Sequence, residues 1–196
     1  MFVAVRSIRS GLWLLVLGLI ATGCAHTPSH SGQKMAAGEG AVGLEEHLAA
    51  LSFTVRRDEA RMVATNAYEL ARKLASDYRV VRPAIWHNFL VNSGLKKRGL
   101  CYHWAEDLLA PLEAFRLSTL EVRWAIARAG TVREHNALVV TARGQAFADG
   151  IVLDGWRRSG RLVWLPVKAD HYPWLEADST TDPDPVTPLH SHAATP

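Results

Sequence analysis

Leu120-Glu121-Val122-Arg123-Trp124-Ala125-Ile126 and, a short loop later, His135-Asn136-Ala137-Leu138-Val139-Val140-Thr141 are the stretches that decide the fold. Before them, apolar side chains recur every three or four positions; within them the spacing drops to two, the period of a strand. Residues 151–154 and 162–167 continue the strand pattern. Ala129-Gly130, Arg143-Gly144, Asp149-Gly150 and Ser159-Gly160 separate the four runs with turn signals.

Working outward, Ala60, Met62, Val63, Ala67, Leu70, Ala71, Leu74 and Tyr78 predict an amphipathic helix over residues 57–78. A second helix is predicted over residues 84–91, ending near Asn92-Ser93-Gly94, with Trp86, Phe89 and Leu90 inward. A third follows Gly99 and carries Cys101, Trp104, Leu108 and Leu109 towards Phe115, with Pro111 as a bend or break. Helices first and strands after define an α+β chain, with N-terminal helices packed on an antiparallel sheet.

The composition of the 196 residues, 48% hydrophobic and 21% charged, allows one domain with a proper core. The formal net charge is +3. Arg6 and Arg9 belong to a leader, and its removal leaves about +1. The remaining basic residues interleave with acidic ones, so no nucleic-acid footprint is expected.

That leader, residues 1–23, has a positive start and the apolar run GLWLLVLGLI from Gly11, long enough for a signal peptide and short for a bilayer span. Ala21-Thr22-Gly23-Cys24 resembles the lipobox of bacterial lipoproteins. The resemblance implies lipid on Cys24 as the membrane partner, an exported chain, and, with Ala25 following, an outer-membrane anchor facing the periplasm. Residues 24–43, rich in Gly, Ser, Pro and Ala, read as a flexible tether. The folded domain is expected over residues 44–175 and a disordered tail over 176–196.

There are two cysteines, and with Cys24 lipidated, Cys101 has no disulfide partner in an oxidising compartment. It lies just past Gly99, in the first turn of the third helix, where free N–H groups and the helix dipole favour a thiolate and the Cys101 N–H can act as an oxyanion donor. His135 opens one strand and Asp154 closes another. A connection centred between Gly144 and Gln145 sets these two opposite each other on one face. A thiol followed by an imidazole and a carboxylate fits a nucleophile, its base and its orienting group.

Gly99-Leu100-Cys101 leading a helix, His135-Asn136-Ala137 opening a strand, and Val152-Leu153-Asp154-Gly155-Trp156 with Trp164 downstream resemble the transglutaminase-like cysteine peptidases of bacteria, over residues 84–167. The resemblance implies a papain-like core in which Cys101 is nucleophile, His135 base and then acid, and Asp154 the group that fixes the imidazole tautomer. It implies attack on a peptide, isopeptide or amide carbonyl and a thioester passed to water or an amine. The substrate would be a peptide or protein of the envelope. Papain proper has a glutamine shortly before its cysteine; here the nearest upstream amide is Asn92, a weak oxyanion candidate.

His103 sits two positions from Cys101 and so on another helix face. Asp149 precedes a glycine and reads first as a turn residue, second as an alternative to Asp154. Glu106 and Asp107 read as a solvated helix face. Nine histidines raise the question of a metal, but no HExxH or paired CxxC spacing is present, nor a phosphate loop or dinucleotide fingerprint, so neither metal nor cofactor is expected. The alternative to an enzyme is a non-catalytic envelope lipoprotein that uses the same scaffold as a binding module.

Overall fold

A computed structural model describes residues 40–177. Among these residues the chain is α+β: four N-terminal helices followed by a five-strand antiparallel sheet packed against them. The helices are α1 (Gly40–Ala49), α2 (Arg57–Asp77), α3 (Ala84–Asn92) and α4 (Cys101–Glu113). The strands are β1 (Leu120–Ala127), β2 (His135–Ala142), β3 (Ile151–Asp154), β4 (Val163–Pro166) and β5 (Trp174–Glu176). Across the sheet they run β4-β3-β2-β1-β5, which places β2 at the centre, buried along its whole length.

Small residues let the helical layer approach closely. Ala60, Val63, Ala64, Ala67, Ala71 and Leu74 form the inner stripe of α2, packed with Leu44 and Leu48 of α1 and with Trp104, Leu108 and Leu112 of α4. Asp58 and Glu59 occupy the first turn of α2, where the helix dipole favours negative charge. Glu59 also accepts hydrogen bonds from the backbone and hydroxyl groups of Ser118 and Thr119, which ties α2 to the start of β1.

Alternation along the strands divides the sheet into two faces. Leu138 and Val140 of β2 and Leu153 of β3 point into the helical core. Ala137, Val139 and Val152 point the other way and join Ala125, Ala127, Val167 and Trp174 in a second cluster, against which Tyr172 and Phe147 pack.

Several expectations need correction. Pro111 does not break α4, which runs to Glu113. It sits in the last turn, where a missing N–H removes a single helical bond, and fully buried Leu112 holds the end in place. On α3 the inward residues are Ala84 and His87, whereas Trp86 and Phe89 are exposed. Helix α1 begins at Gly40, inside the stretch assigned to the tether, because Leu44 and Leu48 bury there and Gly43 lies against the Trp164 ring. At the other end β5 includes Glu176, and the Ala177 N–H donates to the Trp124 carbonyl at 3.0 Å, so the sheet continues past the expected boundary at 175. The expected signal peptide, Cys24, the rest of the expected tether and residues 178–196 of the expected tail lie outside the described residues. No helix among the described residues is long and apolar enough to cross a membrane.

Candidate active site

Cys101 is the first residue of α4, and three side chains shape the backbone that leads into it. Gly99 has φ of +126°, and a Cβ there would lie 2.2 Å from His87 Nε2, so both conformation and space require glycine. His87 takes the Val81 N–H at Nδ1 (3.1 Å) and donates from Nε2 to the Arg98 carbonyl (2.9 Å), clamping α3 to this loop. Trp104 Nε1 donates to the Gly99 carbonyl at 3.1 Å.

His103 then closes the helix start. Its Nδ1 accepts from the N–H groups of Gly99 (3.1 Å) and Leu100 (3.2 Å), which requires a neutral ring. Burial, and the charge of Arg98 after it, lower the His103 pKa and keep the ring neutral. His103 thus caps the helix start, satisfying the N–H of the N-cap residue Leu100 and that of Gly99 just before it. The Cys101 N–H, at the first helical position, has no intrahelical acceptor. Glu106 is exposed, as expected of a solvated helix face, while Asp107 is half-buried; both pair with Arg98, and the Tyr78 hydroxyl donates to Asp107.

His135 and Asp154 meet, though by a different register from the one expected. Leu138 stands opposite Leu153 and Val139 opposite Val152, so the connection is centred between Gln145 and Ala146. Continuing that register sets Asp154 opposite Ala137, one step along the same face from His135, and the two interact diagonally. His135 Nε2 lies 2.6 Å from Asp154 Oδ2, with both residues 2% exposed.

A wider network fixes this pair. Arg157 donates from its backbone to Asp154 Oδ1 (2.9 Å) and from Nε to Oδ2 (3.0 Å), while its other nitrogens reach Asp170 at 3.2 and 2.7 Å. Trp174 Nε1 also donates to Asp170. The rings of Trp156, Tyr172 and Trp174 surround the imidazole at 4.8, 4.7 and 5.3 Å between centroids. Burial would lower the His135 pKa, but the Asp154 hydrogen bond and the contact with Cys101 outweigh it and raise the value to about 9. Burial would likewise raise the Asp154 pKa, and the hydrogen bond from His135 with the charge of Arg157 brings it below the ordinary value instead.

His135 Nδ1 is buried and makes no hydrogen bond of good geometry, although Cys101 acts on the same ring electrostatically. The Cys101 sulfur lies 4.0 Å from the Glu134 carbonyl and 4.0 Å from Asn136 Nδ2.

Asn136 is the polar residue that sequence reasoning missed. Being next to His135 on a strand, it faces the other side of the sheet, towards α4. Trp124 Nε1 donates to its Oδ1 at 2.8 Å, which orients the amide so that Nδ2 faces Cys101 and Glu134 Oε1, the latter at 3.2 Å. The signal was present in the sequence: a buried amide one position after a histidine on a strand points at whatever packs on the opposite face. Asn92, the earlier candidate, is an exposed residue at the end of α3 with no contact to Cys101. Asp149 lies in a turn, paired with Lys168 and apart from His135. Among the described residues no group of three or more His, Cys, Asp or Glu side chains is placed to hold a metal ion.

The structure thus brings together a thiol at a helix start, a buried imidazole–carboxylate pair and an oriented amide, groups whose chemistry is compatible with nucleophilic attack on a carbonyl. Compared with protein-family models, with curated proteins and with solved structures, the chain has no match.

Proposed function

We propose that this chain is a lipid-anchored cysteine hydrolase or acyltransferase of the cell envelope, built on a papain-like, transglutaminase-like core and acting on peptide, isopeptide or amide bonds. The observation that carries the reading is the buried His135–Asp154 contact of 2.6 Å beside a cysteine at a helix N-terminus. The sequence resemblance adds the reaction type.

The chemistry follows from the groups present. His135, with its pKa raised to about 9, carries a proton at neutral pH and provides a counter-charge for a Cys101 thiolate. The sulfur attacks the carbonyl carbon, and the carbonyl oxygen takes negative charge facing the Cys101 N–H and Asn136 Nδ2. The tetrahedral intermediate collapses as His135 passes its proton to the departing amine, leaving a thioester. Water or an acceptor amine then attacks the thioester, giving its proton to His135 and releasing the thiolate. Asp154 stays ionised throughout because His135 and Arg157 both favour its charge.

Alkylation tests this directly. A protonated His135 beside the sulfur promotes attack by Cys101, so the protein is expected to react with iodoacetamide faster than free cysteine does. That advantage is expected to disappear in His135→Ala. Equal rates in the two proteins would refute the enzyme reading and favour a binding module on the same scaffold.

A further inference from the structure

The helix that contributes least to the core faces outward with its largest side chains. Ile85, Trp86 and Phe89 of α3 are 74%, 50% and 56% exposed, and Leu95 just beyond is 71% exposed. Positions 85, 86 and 89 share one helix face. The rings of Trp86 and Phe89 stack at 5.1 Å with an interplanar angle of 19°, so the apolar surface is already assembled.

The chain that leads into and out of this helix carries charge of one sign. Between Asp77 and Glu106 the sequence contains no Asp or Glu but does contain Arg79, Arg82, Lys96, Lys97 and Arg98. Arg98 is engaged by Glu106 and Asp107. Among the described residues, Arg79, Arg82, Lys96 and Lys97 form no ion pair with a carboxylate, and the Lys96 ammonium instead donates to the Arg79 carbonyl at 3.0 Å. Exposed tryptophan and aliphatic groups rimmed by unpaired cations match the interface of an anionic bilayer, where aromatic rings sit at headgroup depth and basic residues meet lipid phosphates. A protein partner would have to be strongly acidic around an apolar centre to fit as well.

We propose that the outer face of α3, with Arg79, Arg82, Lys96 and Lys97, seats the domain on an anionic lipid surface. The inference requires neither a lipid on Cys24 nor catalysis at Cys101. It does give the site a location. Asn88 of α3 accepts from Trp156 Nε1 at 2.9 Å, Trp156 packs on His135, and His87 packs against Gly99. The membrane seat is therefore joined by direct contacts to both sides of the candidate active site, and substrates attached to or lying at the lipid surface are the ones it favours.

The test uses the full-length protein on vesicles of phosphatidylcholine alone or mixed equally with phosphatidylglycerol, with lipids brominated along their acyl chains as tryptophan quenchers. The expected result is quenching of an emission component in the anionic vesicles that is absent in Trp86→Phe. Arg82→Gln with Lys97→Gln removes two cations and weakens the docking equilibrium by roughly 30-fold, with unchanged circular dichroism and unchanged Cys101 alkylation. Identical quenching in wild type and Trp86→Phe would overturn the proposal. So would equal quenching in both lipid compositions, or a Trp86 component that changes only when a soluble acidic protein is added.

Discussion

Replacing Asp154 by Asn probes the electrostatic core of the site. In the folded chain His135 has a pKa of about 9 against an ordinary value of 6.5. At about 1.4 kcal/mol per unit, this difference ties about 3 kcal/mol of stability to the protonated ring. The folded value is the higher one, so that stability is complete below about pH 6.5 and is lost as pH rises through about 9. Asp154→Asn removes the larger of the two contributions that oppose burial and leaves only the contact with Cys101, so burial shifts the ring towards its neutral form. Arg157 retains two hydrogen bonds to Asp170, so the surrounding loop keeps its anchor.

Two measurements check this. Nuclear magnetic resonance of the His135 ring should show wild-type titration near pH 9 and a midpoint in Asp154→Asn displaced well below it. Urea unfolding at pH 6.5 and at pH 9.5 should show wild type losing up to about 3 kcal/mol across the interval, with the variant losing much less. A His135 that titrates at or below its ordinary value in wild type, or at the same pH in both proteins, would refute the assignment of Asp154 as its stabilising partner.

Asn136→Ala should slow acylation by an activated ester by roughly 10²- to 10³-fold while leaving iodoacetamide alkylation nearly unchanged, because alkylation develops no oxyanion. Trp124→Phe, which frees the amide from its 2.8 Å donor, should fall between wild type and Asn136→Ala; a loss of alkylation equal to the loss of acylation would show that Asn136 only supports the fold. Gly99→Ala should cost at least about 2 kcal/mol in urea unfolding, since it meets both an unfavourable φ and the His87 ring. A cost below about 0.5 kcal/mol would mean that the loop into α4 is not held as described.

Much of the fold was legible because period and burial agree. The stripe of small residues in α2 and the alternation in β1 and β2 mark elements whose apolar faces are fully used, and their observed limits lie within a residue or two of the expected ones. Helix α3 failed on orientation because it is short and because polar contacts decide its burial. His87, with two hydrogen bonds and a glycine packed on its ring, faces in, while the larger apolar side chains face out. Strand β5 has three residues, too few for a period to register. It forms because β1 offers an edge and Trp174 a ring for the second cluster.

The site shows why a wrong register could still bring the right residues together. Side chains on a strand alternate, so a shift of two positions moves a partner along the face without turning it away, whereas a shift of one would have separated His135 from Asp154 altogether. The turn was displaced by one residue, from a centre at Gly144 and Gln145 to one at Gln145 and Ala146. That displacement moves the pairing by two. The same parity puts Asn136 on the opposite face, where it meets the helix that carries Cys101. Each position of β2 had already been assigned a side by the alternation, and the N-terminal helices were expected to pack on the sheet. A buried amide directed at the helical layer was therefore implied once His135 was placed. What the sequence lacks is the Trp124 hydrogen bond that orients this amide, because it joins diagonal positions on neighbouring strands and depends on a side-chain rotamer that no periodicity encodes.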